Sequence, residues 1–265
     1  MNILKRELAP ISQKGWDEIE DLARETLKAS LSARKFVDVI GPKGLHCTSV
    51  STGRLDVPAK QKDQGVNYGI YSVLPLTETR VRFSLASWEL DNIERGASDA
   101  ELDSLVTAAQ SIAKFEEEAV YHGFPAGCIT GLYELAADSL IPMKLTYDGV
   151  VDAVTSAQRR MLDDGVAAPA NLAAGPDVWQ FLARSAPGGS LRSLLEKQIN
   201  GKVILAPALK GALLAADRGG DFELTIGQDF AIGYHSHTTE AINLFMMESF
   251  TFRIITPEAV VGFSV

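Results

Sequence analysis

Trp88-Glu89-Leu90-Asp91-Asn92-Ile93-Glu94-Arg95-Gly96 stands where the chain changes period, and that change decides the fold class. Before it, Thr77 to Leu85 alternates in part. Val81, Phe83 and Leu85 are set against Arg80, Arg82 and Ser84, the period of a half-buried strand. After the Glu94-Arg95-Gly96 break, Leu102, Leu105, Val106, Ala109, Ile112 and Ala113 recur three or four apart. They trace one face of a long helix that runs to about Tyr121 and ends before Gly123. A strand followed by a spine-like helix points to a mixed α+β architecture.

Toward the N-terminus, Trp16, Ile19, Ala23, Leu27 and Leu31 mark an amphipathic helix over Ser12 to Arg34. Ser12 is its expected cap, and Asp17, Glu18, Glu20 and Asp21 lie in the first turns, where the helix dipole favours acids. Gly41-Pro42-Lys43-Gly44 breaks the chain. From Ser49 to Leu74, Gly53, Pro58, Gly65 and Gly69 interrupt short alternating pieces such as Arg54-Leu55-Asp56-Val57, which reads as a long protruding hairpin. Two isolated strands bury too little surface to be stable, so this hairpin is expected to lie on a neighbouring subunit.

Toward the C-terminus, Val150, Val151, Val154, Ala157 and Met161 give a helical face. Asp177 to Arg184 and Ser190 to Ile199, the latter with Leu191, Leu194 and Leu195, give two more. Strand-like Val203-Ile204-Leu205 and Ala212-Leu213-Leu214 follow. Ala241 to Ile255 then alternates Phe250, Phe252 and Ile254 against Thr251 and Arg253, with Ala259-Val260-Val261 after Pro257. The whole is a helix, a hairpin, a spine helix, a compact α/β insertion and strands returning to the first core. No fixed-period repeat is visible, which excludes solenoids and propellers.

The 265 residues, 46% hydrophobic and 22% charged, suffice for one large domain or two intimately joined ones. A net charge of −9 argues against a protein that grips nucleic acid through a basic face. Met1-Asn2-Ile3-Leu4-Lys5-Arg6-Glu7 has no apolar run behind its basic pair, so neither a secretory signal nor a spanning helix is expected, and no membrane partner. The cytoplasm is the expected location. Cys47 and Cys128 have no metal-type spacing and read as two ordinary thiols of a reducing compartment.

A search for chemistry returns little. There is no Gly-x-Ser-x-Gly elbow, phosphate loop, dinucleotide fingerprint or His-Glu-x-x-His, and no catalytic residue is assigned. His235-Ser236-His237 would place two imidazoles on one side of a strand, but a metal needs three or four ligands and none lies nearby in sequence. A solvated loop pair is expected there, and no metal. Phe115-Glu116-Glu117-Glu118 reads as a solvated face of the spine helix. Trp88 is expected to pack in the core or against a subunit.

Leu4-Lys5-Arg6, Arg34-Lys35-Phe36-Val37-Asp38-Val39, the Trp88 to Gly96 block, Arg218-Gly219-Gly220-Asp221-Phe222, Gly227-Gln228-Asp229-Phe230-Ala231-Ile232-Gly233-Tyr234 and Phe250-Thr251-Phe252 together carry a resemblance. They closely resemble the encapsulins, bacterial and archaeal shell proteins that share the capsid-subunit fold of tailed phages. The resemblance runs from Leu4 to the C-terminus. It implies a peripheral domain over 1–48, 75–134 and 218–265, an extended loop over 49–74 and an axial domain over 135–217.

The resemblance further implies a hollow icosahedral shell of about 60 copies, or a multiple, enclosing a cargo enzyme such as a peroxidase or a ferritin-like protein. A groove on the inner wall would take the cargo's C-terminal targeting peptide. The residues that match it are Leu27, Leu31, Arg34 and Asp38 with Phe230 and Ile232, the apolar ones for Leu/Ile anchors and Arg34 and Asp38 for the tail's polar groups. Ser185-Ala186-Pro187-Gly188-Gly189-Ser190 match a pore loop at the fivefold axis. Some relatives carry flavin beside a tryptophan matching Trp88 and an arginine matching Arg80. A prophage capsid subunit and a bacteriocin- or protease-like factor are the alternative readings.

Overall fold

The computed structural model describes residues 3–59, 66–186 and 189–265. Helix α1 (Gln13–Ser30) starts as its sequence dictates, for Ser12 Oγ accepts the amide of Gly15 at 3.0 Å. It buries Trp16, Ile19, Ala23 and Leu27, each large side chain contributing about 1.5–3 kcal/mol of transfer free energy. The helix stops short of Arg34. Leu31 is extended, and a tight turn (Ala33–Lys35) follows because Glu117 of the spine helix accepts the Ser32 hydroxyl and the Ala33 amide, the latter at 2.8 Å.

Next come β1 (Asp38–Ile40), the hairpin strands β2 (Ser49–Asp56) and β3 (Ile70–Pro75), and β4 (Thr77–Ala86). Helix α2 (Ser87–Arg95) ends at Gly96 with φ +100°, and the spine helix α3 (Asp103–His122) ends at Gly123. Helices α4 (Leu132–Ala136), α5 (Tyr147–Asp163), α6 (Pro176–Leu182) and α7 (Leu191–Ile199) alternate with β5 (Ile141–Pro142), β6 (Ala170–Ala174) and the short pair β7 (Ser185–Ala186) and β8 (Gly189–Ser190). The chain closes with β9 (Val203–Leu205), β10 (Ala212–Ala216), β11 (Phe222–Ile226), β12 (Ala231–His237), β13 (Ala241–Ile254) and β14 (Val260–Ser264).

Among the described residues the longer strands form two five-stranded sheets. The first is organised on β13, which pairs antiparallel with the full length of β4 from Ala241↔Ala86 to Phe250↔Thr77. Its other edge is shared, β12 taking Ile242 to Met247 and β11 taking Phe250 to Ile254. Strand β1 adds parallel to β11. The second sheet runs β5-β14-β10-β6-β9, with α4 to α7 around it.

Strand β14 departs from the expectation that 218–265 returns to the first sheet. The turn Pro257–Ala259 redirects the chain, and Val260, Val261 and Phe263 are buried in the second core through pairing with β10. Strand β6 (Ala-Asn-Leu-Ala-Ala) does not alternate, because all five of its residues are buried on both faces of the sheet.

Among the described residues there are accordingly two hydrophobic cores, and four segments pass directly from one to the other, the connection from Ile226 of β11 to Ile232 of β12 being one of them. Helix α3 places Leu105, Ala109 and Ile112 in the first and Val120 and Tyr121 in the second. The α1 exit crosses from Leu31 to Ala33, and β13 crosses from Met246 to Phe250. The hairpin β2/β3 belongs to neither core. Leu55, Val57, Ile70, Tyr71 and Val73 on it are exposed, as are Val66 and Tyr68 beside it.

Candidate functional site

A groove of about 690 Å³ opens between α1 and β12. From α1 and its exit come Ala23, Leu27, Leu31 and Arg34, and from the loop before β12 and the strand itself come Asp229, Phe230, Ala231 and Ile232. The helix presents Ala23 and Leu27 on one face because they are four residues apart, and the extended Leu31 just beyond its end continues that wall. The strand can approach Phe245 of β13 so closely because residue 233 is glycine. A Cβ there would lie 2.3 Å from the Phe245 ring. The rim carries Arg6, Glu20, Arg24, Lys28 and Lys35, with Arg6 paired to Glu20.

The structure thus brings Leu27, Leu31, Arg34, Phe230 and Ile232 into one concavity, and it does not bring Asp38 there. Asp38 sits at the start of β1, where its carboxylate accepts the Gly220 amide at 2.6 Å. That bond pins the turn formed by Arg218-Gly219-Gly220-Asp221. Gly219 and Gly220 have φ of 75° and 80°, and Arg218 closes the turn with paired bonds of 2.8 and 3.0 Å to Asp221. Burial favours the neutral Asp221, but hydrogen bonds from Arg218 and Thr256 and the Arg218 charge more than offset it and lower its pKa. This block serves as the joint between β10 of the second sheet and β11 of the first.

Arg34 also differs from expectation, for its guanidinium faces inward. Nε lies 2.9 Å from one oxygen of Glu116 and Nη1 lies 3.0 Å from Asp229, while Nη2 bonds Glu116 and Glu248. The group also stacks over Phe230, 4.7 Å from the ring centroid. Burial would lower the Arg34 pKa, but hydrogen bonding to Glu116 and the charges of Glu116, Glu248 and Asp229 more than offset it and raise it. Arg34 therefore builds the groove wall by fixing Phe230, and its polar head is already engaged.

Glu116 and Glu117 are buried, which corrects their reading as a solvated face. Burial raises the Glu117 carboxyl to about 7, although bonds from Ser32 and Ala33 pull it down. Glu248 is pushed well above the usual range by burial first and by the adjacent Glu116 second. Tyr121, whose hydroxyl lies 2.7 Å from Ser32 Oγ, is likewise raised by burial. The sequence signal for this cluster was faint: three glutamates in a helix whose apolar positions run past them.

Trp88 is 70% exposed on α2, so it is not a core residue, and its ring is met by Arg95 with 5.6 Å to the centroid. Arg80 pairs with Glu78 and stacks on Phe245 at 5.0 Å. Each of the two thus has its own partner. His235 and His237 lie exposed on β12, a strand where a loop was expected, and Tyr234 meets His237 Nδ1 at 2.6 Å. Among the described residues no group of three or more His, Cys, Asp or Glu could hold a metal ion. None of the helices described is long and apolar enough to cross a membrane.

The six residues of the expected pore loop form β7 and β8 between α6 and α7, with Ser185 opposite Ser190 and Ala186 opposite Gly189. Pro187 and Gly188, at the tip, lie outside the described residues. So do residues 60–65 of the expected extended loop.

Comparison with known proteins agrees with this architecture. The family described as "encapsulating protein for peroxidase" matches residues 1–251. A type 1 encapsulin shell protein of Rhodospirillum rubrum is 42% identical over 268 residues, which covers 98% of this chain and 96% of the relative. A type 1 encapsulin shell protein of Mycobacterium tuberculosis is 34% identical over 265 residues, covering 100% of both. Among solved structures, the virus-like particle of Pyrococcus furiosus shares the fold at 16% identity and a TM-score of 0.67, over 94% of this chain and 99% of the other. The capsid of an empty GTA particle does so at 14% identity and a TM-score of 0.58, over 89% and 90%. With its capsid-type fold and whole-length likeness to shell proteins, this chain belongs to the encapsulin family, whose subunits build capsid-like shells.

Proposed function

We propose that the chain is the wall tile of a closed icosahedral compartment of about 60 copies in the cytoplasm, with no catalytic centre of its own. In this reading the groove between α1 and β12 takes the C-terminal tail of an enclosed enzyme. One observation carries the tail assignment: apolar Leu27 and Leu31 converge with Phe230 and Ile232, some 200 residues away in the chain, on a single cavity of about 690 Å³. Extended tails with alternating Leu or Ile anchors bind such cavities by burying side chains, while backbone groups stay near the rim. The Ser185 to Ser190 hairpin is the candidate pore rim, and the exposed Trp88 a candidate contact between tiles.

Likeness to phage capsids favours a second reading, a prophage capsid subunit, on grounds of fold alone. The whole-length identity of 42% to a shell protein weighs for the compartment.

The test is loading of a fluorescent reporter fused to the C-terminal tail of a candidate peroxidase. Leu31→Asp and Phe230→Asp shells are expected to keep their size and lose the reporter. Intact shells that still load the reporter would remove the groove assignment. Phe230, half-buried at the rim, serves if Leu31→Asp shells do not form.

A further inference from the structure

We propose that the seam between the two hydrophobic cores is a proton-operated latch: protons held on its buried carboxyl groups clamp the α1 exit to α3 and β13, and their loss loosens it. The reading stands on the tile alone and does not depend on what the groove binds.

The geometry begins with where the charges sit. Three of the segments that cross between the cores bring buried or partly buried ionisable groups to the crossing level. These are Arg34 from the turn after α1, Glu116 and Glu117 from α3, and Glu248 from β13. Asp229 joins them from the loop that separates β11 from β12. Glu116 and Glu248 are fully buried, and Arg34 is the cation bonded to them. From β4, the residue opposite Glu248 is the uncharged Thr79, while its neighbours Glu78 and Arg80 pair with each other. From α3, Tyr121 adds a hydroxyl and no cation.

One guanidinium thus faces three carboxyl groups, with a fourth, Glu117, one residue further along α3. Burying so many negative charges against a single cation costs more than retaining a proton. The hydrogen bonds agree. Glu116 Oε2 and Glu248 Oε1 both accept from the same Arg34 nitrogen, acceptor beside acceptor, and Glu248 Oε2 has no hydrogen-bond partner among the described residues. A proton between the two carboxyls turns that repulsion into a bond. The second proton belongs to Glu117: burial raises it to about 7 although the bonds its oxygens accept from Ser32 and Ala33 favour the ionised form, and once protonated it can donate back to the Ser32 oxygen while the Ser32 hydroxyl turns to Tyr121. When both protons are present the α1 exit is tied to α3 and β13 by neutral or paired groups. When they leave, uncompensated negative charge accumulates at the level where the cores meet, and the wall formed by Leu31 and Phe230 is freed.

Hydrogen exchange on assembled shells tests this, with rates corrected for intrinsic base catalysis. Between about pH 6 and about pH 8.5, wild-type amides of residues 31–37 and 113–118 are expected to lose about tenfold of their protection, while those of β6 and β10 keep theirs. Glu117→Gln with Glu248→Gln, which reproduces the protonated shape, is expected to abolish the pH dependence at the seam. Infrared spectra of wild-type shells at neutral pH should show buried carboxylic acid absorption that Glu248→Gln diminishes and the double variant removes. Seam protection that is independent of pH in the wild type, an equal loss in the double variant, or no such band would each overturn the latch. Should the double variant not fold, the wild-type band and its titration decide alone.

Discussion

The second sheet and the hairpin are both made of short strands, yet they solve the problem of burial in opposite ways. Strands β6 and β10 are buried throughout, and α5, α6 and α7 close over them, so that part of the molecule is complete within one chain. The hairpin β2/β3 exposes almost every side chain, with Tyr71 73% exposed and Ile70 and Val73 beside it. A soluble monomer does not ordinarily present a row of large apolar residues on a two-stranded arm. The difference teaches where the tile ends: one region is stabilised by its own chain, and the other leaves its apolar side chains uncovered by it. In the reading proposed above, the arm is the connector between copies and the sheet is the body.

Breaking the connector should have the largest effect. Replacing Ile70, Tyr71 and Val73 by Ser is expected to abolish particles, read by light scattering, while far-ultraviolet circular dichroism stays that of a folded tile. Retained particles would show that the arm is dispensable. Breaking the body acts on the tile itself. Leu214→Ala, at a fully buried position of β10, should cost about 2–5 kcal/mol, measured as a drop in unfolding midpoint.

The seam gives an intermediate effect with a definite sign. Glu117 binds its proton more tightly folded, at about 7, than unfolded, near 4.5. Its contribution to stability is full below about 4.5 and lost as pH rises to about 7, on the order of 3 kcal/mol in all. Glu117→Gln should flatten denaturation midpoints across that window. A midpoint that rises with pH there would contradict the burial of this carboxyl. The smallest effect is at the start of α1, where Ser12→Ala removes the cap of Gly15 and should cost about 1 kcal/mol.

The contrast between body and connector was largely legible in the sequence, because both rest on local pattern. The 3.6 period of Trp16 to Leu27 and of Leu102 to Ala113 gives α1 and α3, and the turn residues between Ser49 and Leu74 give the hairpin. The family resemblance matched Leu27, Leu31, Phe230 and Ile232 to one groove, and these four side chains do line one cavity. What pattern could not convey is pairing at long range. Glu116 reads as solvated until Arg34, distant in sequence, is placed against it, and Asp38 reads as a groove residue until Gly220 claims its carboxylate. Strand β14 looks like its neighbour β13, and only pairing with β10 assigns it to the other sheet.

The most direct test of the division between body and connector is hydrogen exchange on the protein in two forms, the assembled particle and the dissociated tile. The account predicts that amides of β6 and β10 are protected in both, and that those of β2 and β3 are protected in the particle alone. Hairpin amides as well protected in the dissociated tile as in the particle would contradict it.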